Sequence, residues 1–260
     1  EHLDTYMQFI PSPLWMDLEV ALGILTGYYP PTDAGYQDFF ELHDDITLHL
    51  HEYIVKQNRT FHINANNTNI CRCFQEAITS PFANLHNEPQ QAILAYQHSV
   101  KQKNELNTDH YAFVSFNFTD VFDRCLIHSC KPASSNRQNN FNLESVLGAT
   151  PEVIHIHGNT VASHNNRHLL LGINDTTQAD NNFHRPKDLE AYLVKPRINE
   201  SLENGYAKKI ANMIERSQYI ILCGTSLGPT DKVWWQMIGA WLGFNTNNRL
   251  IIHTYLQRGQ

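Results

Sequence analysis

Pro151-Glu152-Val153-Ile154-His155-Ile156-His157-Gly158 is the stretch whose reading decides the fold. Apolar Val153, Ile154 and Ile156 mix with polar residues as in a short strand, and the run stops at a His-Gly pair. Gly158 lets the chain turn sharply there, because a residue without Cβ accepts backbone angles that others avoid. The spacing therefore puts the ring of His157 at the C-terminal end of a strand. In an open parallel sheet that is the edge where ligands bind.

Two other segments share this layout. Tyr111-Ala112-Phe113-Val114-Ser115-Phe116-Asn117-Phe118-Thr119-Asp120 is an apolar strand ending in polar residues, with a helix after it. Tyr219-Ile220-Ile221-Leu222-Cys223-Gly224-Thr225-Ser226-Leu227-Gly228 is a buried-type strand running into a small-residue turn before the helix that follows Asp231. Three strands that each deliver glycine or polar residues at their ends predict an α/β fold with a nucleotide-type crevice.

Composition sets the outer limits. The chain has 260 residues, 42% of them hydrophobic and 11% aromatic, which is enough for a sizeable core. A formal charge of −7 and the lack of a long basic run argue against a protein that mainly grips phosphate backbone. Five cysteines (Cys71, Cys73, Cys125, Cys130 and Cys223) form no regular disulfide or zinc spacing, so they read as structural or incidental and the expected compartment is the cytoplasm. No apolar run reaches membrane-spanning length. Of the fifteen histidines, His43, His49, His51, His86 and His110 lie in polar contexts and read as solvated.

Along the chain, helices are expected over 15–22, 38–56, 70–78 and 88–104, with an edge hairpin around Phe61 to Ile63. Strands follow near 111–116, 152–156, 168–173, 219–223 and 250–255, with helices after the first and before and after the fourth. Residues 131–142 read as an exposed loop and 176–187 as a flap.

Several residues have two readings. His157 suits a general base because its unperturbed pKa lies near neutrality. His155 shares its face, and of the two the one beside the glycine is the better candidate. Asn117 either orients a ribose or a water, or satisfies its own turn. Asp231 is either an N-terminal helix acid or a ribose contact, with the helix role favoured. The Gly224 turn suits an anion but also serves simply to reverse the chain.

At these residues the chain resembles the AbiH-type abortive-infection family, which is itself similar to the sirtuins. The segments that carry it are Val-Ser-Phe-Asn-Phe-Thr at 114–119, His-Ile-His-Gly at 155–158, Leu-Leu-Gly-Ile-Asn-Asp at 170–175 and Gly-Thr-Ser-Leu-Gly-Pro-Thr-Asp-Lys-Val-Trp-Trp at 224–235. Trp15-Met-Asp-Leu-Glu19 fits the family's early helix. The resemblance implies a Rossmann-like, sirtuin-like, mostly parallel sheet flanked by helices. It would form a single domain over 1–260, mainly helical to 110 and α/β nucleotide-binding from 111. It implies NAD as substrate, cleaved at the nicotinamide–ribose bond in antiphage defence. His157 and Asn117 would be catalytic. Gly158, Thr119, Asp120, Gly172, Asn174, Asp175, Gly224, Thr225, Ser226, Leu227 and Asp231 would hold the dinucleotide. No metal is expected, and a homo-oligomer or a defence partner protein is compatible with the reading. The family's usual glycine-rich opening loop does not occur before Trp15 and is expected upstream of Glu1. The sirtuin zinc module is absent too, which counts against deacetylation. A non-catalytic nucleotide-binding or phage-sensing module is the alternative. A nuclease-type toxin ranks last, since no carboxylate cluster has metal-binding spacing.

Overall fold

The computed structural model describes residues 18–63, 68–104, 110–130, 152–160, 169–181, 183, 186–201 and 205–253. Four helices come first: α1 (Leu18–Leu25), α2 (Asp33–Thr60), α3 (Thr68–Thr79) and α4 (Asn87–Asn104). Then follow β1 (Phe113–Ser115), α5 (Val121–Cys130), β2 (Val153–His155), α6 (Pro186–Leu193), α7 (Lys195–Ser201), α8 (Tyr206–Arg216), β3 (Tyr219–Cys223), α9 (Lys232–Phe244) and β4 (Arg249–His253). The protein is thus mixed α/β, mostly helical, with two small parallel sheets.

The expected strands at 111–116, 152–156, 219–223 and 250–255 are found, but as two separate pairs, β1 with β2 and β3 with β4. β3 and β4 run parallel from Tyr219 opposite Arg249 to Cys223 opposite His253. The strand expected over 168–173 is instead an extended segment with one bridge, between Ile173 and Val194. Ile173 takes a bond from Lys195 N–H at 2.9 Å and gives one to the Leu193 carbonyl at 2.9 Å. The ladder stops there because Lys195 already begins α7. Phe61 to Ile63 forms no strand; the stretch expected as a flap begins with a short 3₁₀ turn at Thr176–Gln178, and its residues 182, 184 and 185 lie outside the described residues. Helix α2 starts five residues earlier than its apolar stripe suggests. The Thr32 hydroxyl accepts the Gly35 N–H at 3.2 Å, so the chain is capped into a helix soon after Pro30-Pro31. Trp15, the 131–142 loop, His168 and Tyr255 lie outside the described residues.

The described residues pack as two compact units. The first takes residues from 1–56, 116–118 and 155–260, the second from 57–115 and 119–154. The first unit's core is built by one face of α1 (Ala21, Leu22, Leu25), the α2 stripe (Tyr36, Phe39, Leu42, Ile46), the extended Leu171 and Ile173, and Leu189, Leu193 and Val194. Each fully buried Leu, Ile or Phe here stabilises the fold by about 1.5–3 kcal/mol relative to an exposed one. Close approach also demands a glycine at 172, where a Cβ would lie 2.1 Å from the Leu193 carbonyl oxygen. The second unit buries Ile78 of α3 and Leu126 of α5, with Tyr111, Phe113, Phe122 and Val153 packed against them.

Two burial expectations are corrected. His43 is buried rather than solvated, and its Nε2 donates to the Leu171 carbonyl at 2.9 Å, which ties α2 to the extended segment. Cys223 is exposed, because β3 lies half-buried along its length instead of deep in a sheet.

Candidate active site

The site grows from the turn after β2. Gly158 adopts a left-handed φ of 76°, and its N–H returns to the His155 carbonyl at 3.2 Å. The carbonyl of His157 is fixed in turn by the Leu170 N–H at 2.8 Å. His155 and His157 are both buried. The two rings meet different partners. His155 Nδ1 donates to the Asn117 carbonyl at 3.2 Å and so fastens the 116–118 segment to the turn. The His157 ring lies between Phe116 and Phe118, with centroids at 5.7 Å and 5.9 Å. Trp235 stacks on Phe116 at 5.1 Å, and its Nε1 donates to the Gly228 carbonyl at 2.9 Å.

Asp231 faces that ring. It occupies the N-cap position of α9, yet its side chain caps nothing. Asn174 does the capping instead, with Oδ1 accepting the Val233 N–H at 2.8 Å. Asp231 thus stands at the helix start, as expected, but makes no capping bond. The carboxylate is released from capping and turned toward two other groups. Its Oδ1 takes the Lys195 ammonium at 2.9 Å and lies 3.0 Å from His157 Nε2. The approach to the ring is bent away from an aligned hydrogen bond. Lys195 also binds Glu19 Oε2 at 2.7 Å, and Glu19 Oε1 accepts the Gly172 N–H at 3.3 Å. The side chains of His157 and Lys195 are each 4% exposed. A lysine so buried has to be paired, since an isolated charge in low dielectric is costly.

Burial alone would push the Asp231 carboxyl up, but the pull of His157 and then Lys195 outweighs it and holds the group below its ordinary value. Asp175 is also held low, chiefly by the Thr177 hydroxyl. A carboxylate beside an imidazole is an arrangement in which a general base can work.

The residues expected to bind a dinucleotide fall into groups. Asn117 is exposed on the segment flanking His157. Gly158 makes the turn, Gly172 permits close packing, and Asn174 caps α9. Asp175 accepts the Thr177 N–H at 3.0 Å and caps the 3₁₀ turn. Gly224 has a left-handed φ of 61° with open space around it, Thr225 is half-buried, and Ser226 and Leu227 are exposed. That turn joins the ring cluster through Gly228 and Trp235. Thr119 and Asp120 belong to the second unit, where Asp120 Oδ2 pairs with Arg124 Nε at 2.8 Å. Lys195 was missed on sequence, and Glu19 was noted only within the early helix. The available signal was a charge inside an apolar run, Glu19 in Leu-Glu-Val-Ala-Leu and Lys195 in Tyr-Leu-Val-Lys-Pro.

Among the described residues no group of three or more His, Cys, Asp or Glu side chains is arranged to hold a metal ion, and no helix is long and apolar enough to cross a membrane. The class is thus a mixed α/β protein with a histidine–carboxylate pair set on a buried lysine. The family model for bacteriophage abortive infection AbiH matches residues 1–253, and the chain belongs to that family. No curated protein and no solved structure matches it.

Proposed function

We propose that the chain is an antiphage defence effector that cleaves NAD at the nicotinamide–ribose bond. The defence role rests on its abortive-infection family. The chemistry rests on one observation, the contact of 3.0 Å between His157 and Asp231 under the segment that carries exposed Asn117. In the reaction the C1′–N bond breaks and nicotinamide leaves with the bonding pair. Water then adds to C1′, and its proton passes to His157. Nε2 faces Asp231, so Nδ1 is the ring nitrogen left to receive that proton. The Asn117 carboxamide orients the ribose or the water. The open turn at Gly224, Thr225, Ser226 and Leu227 takes the adenosine side, as in a sirtuin-like arrangement, which the parallel pairing of β3 with β4 supports.

A second reading, a nucleotide-binding module without turnover, is favoured by the deep burial of the His157 ring. One experiment separates them. NAD is added to the full chain, with extract of phage-infected cells as trigger, and nicotinamide and ADP-ribose are measured. Release that His157→Ala abolishes supports the hydrolase. Tight NAD or ADP-ribose binding without release supports the binding module and refutes the hydrolase.

A further inference from the structure

One carboxylate oxygen faces two groups: Asp231 Oδ1 meets the Lys195 ammonium at 2.9 Å and lies 3.0 Å from His157 Nε2. Lys195 is in turn held by Glu19 at 2.7 Å. We infer that Lys195 and Glu19 are positioning residues that set how much of the Asp231 charge reaches His157. In catalytic terms the inference rests on the hydrolase reading; its electrostatic content does not.

Among the described residues, the charged and titratable groups linked to the ring are Asp231 from the turn before α9, Lys195 from the start of α7 and Glu19 from α1 behind Lys195, with His155 two residues away at the end of β2. The 116–118 segment brings only Phe116, Asn117 and Phe118, which carry no charge. Glu19 neutralises Lys195, and Lys195 draws on Asp231 in competition with the imidazole. Coulomb interactions in a site this dry are weakly screened, so each link is felt at the next. The chain of alternating signs fixes the direction of each perturbation. Removing Lys195 leaves Asp231 wholly to the ring and favours its protonated form. Removing the charge of Glu19 strengthens the hold of Lys195 on Asp231 and disfavours that form. A cluster whose charges did not reach the ring would leave its titration unmoved in both variants.

The test is an NMR titration of the His157 ring in the full chain without NAD, with the resonance assigned by its loss in His157→Gln, alongside the pH profile of nicotinamide release. Lys195→Met is expected to move the ring's titration, and with it the acidic limb of the profile, upward. Glu19→Gln is expected to move both downward by less, and the double variant to return toward the parent. If Lys195→Met fails to fold, the sign of the Glu19→Gln shift decides. Shifts in the same direction, or none, overturn the inference. Opposite shifts in a chain that releases no nicotinamide would uphold this coupling and refute the hydrolase reading alone.

Discussion

Asp120 and Asp231 both stand at the N-terminal ends of helices, and the molecule uses them differently. Asp120, before α5, pairs with Arg124 one turn along the same helix. Arg124 Nη1 then donates to the carbonyls of Asn58 and Phe61, each at 2.8 Å. That cation has one acid and two neutral acceptors, which is the pattern of a staple closing the end of α2. Asp231 has no local partner. Its contacts come from Lys195 and His157, far off in the sequence, and they meet on one oxygen. A local pair satisfies the backbone around it. A shared oxygen between an ammonium and an imidazole joins distant segments at one point, and under the proposed hydrolase reading it faces the proton-accepting ring.

The contrast can be broken from either side. His157→Ala is expected to lower nicotinamide release by about 100-fold or more, the usual scale for a lost general base. Asp231→Asn should cost about 10-fold or more in the same assay, because the ring loses its orienting charge. Arg124→Met should instead destabilise the second unit by on the order of 2 kcal/mol in denaturant unfolding, as partial exposure softens the loss of a buried pair. Its rate of nicotinamide release per folded molecule should stay at the parent's level. If Arg124→Met impaired catalysis as much as Asp231→Asn, the distinction between the two acids would fail.

A smaller effect tests the exchanged cap. Since Asn174, not Asp231, holds the Val233 N–H, Asn174→Ala should lower stability by about 1 kcal/mol. Asp231→Asn should leave the α9 cap intact, which amide exchange at Val233 would report.

The smallest effects concern pH. Burial lowers the His43 pKa, partly offset by the Leu171 carbonyl and by Asp44. The unfolded chain takes up this proton near 6.5 and the folded chain only further down, so stability falls as pH drops below that value. His43→Gln, which keeps a donor for Leu171, should flatten that part of the stability curve. Asp231 acts at still lower pH. Its folded pKa is depressed, so its contribution is present above the unfolded value of 3.8 and is lost as pH falls through the folded one. Thermal melts across the acid range would show both.

Much of this was legible in the sequence where the signal is local. The strand at 219–223 was readable to the residue, and the long α2 to within a few residues, because apolar periodicity is a property of neighbours. The turn that follows His157 was readable from Gly158. Three things were not. The 168–173 segment has the composition of a strand, but its pairing ends where Lys195 starts a helix. Asp231 has the position of a cap, but a distant Asn174 takes the task. Glu19 and Lys195 sit in apolar runs where only the folded chain reveals that each is the other's partner. Local propensity cannot report a bond between residues so far apart.

The most direct measurement is the amount of NAD and ADP-ribose in phage-infected cells that carry the full chain or its His157→Ala variant. The account predicts that NAD falls and ADP-ribose rises with the parent chain and that neither changes with the variant. Protection against phage with NAD undiminished, or equal NAD loss with both chains, would contradict it.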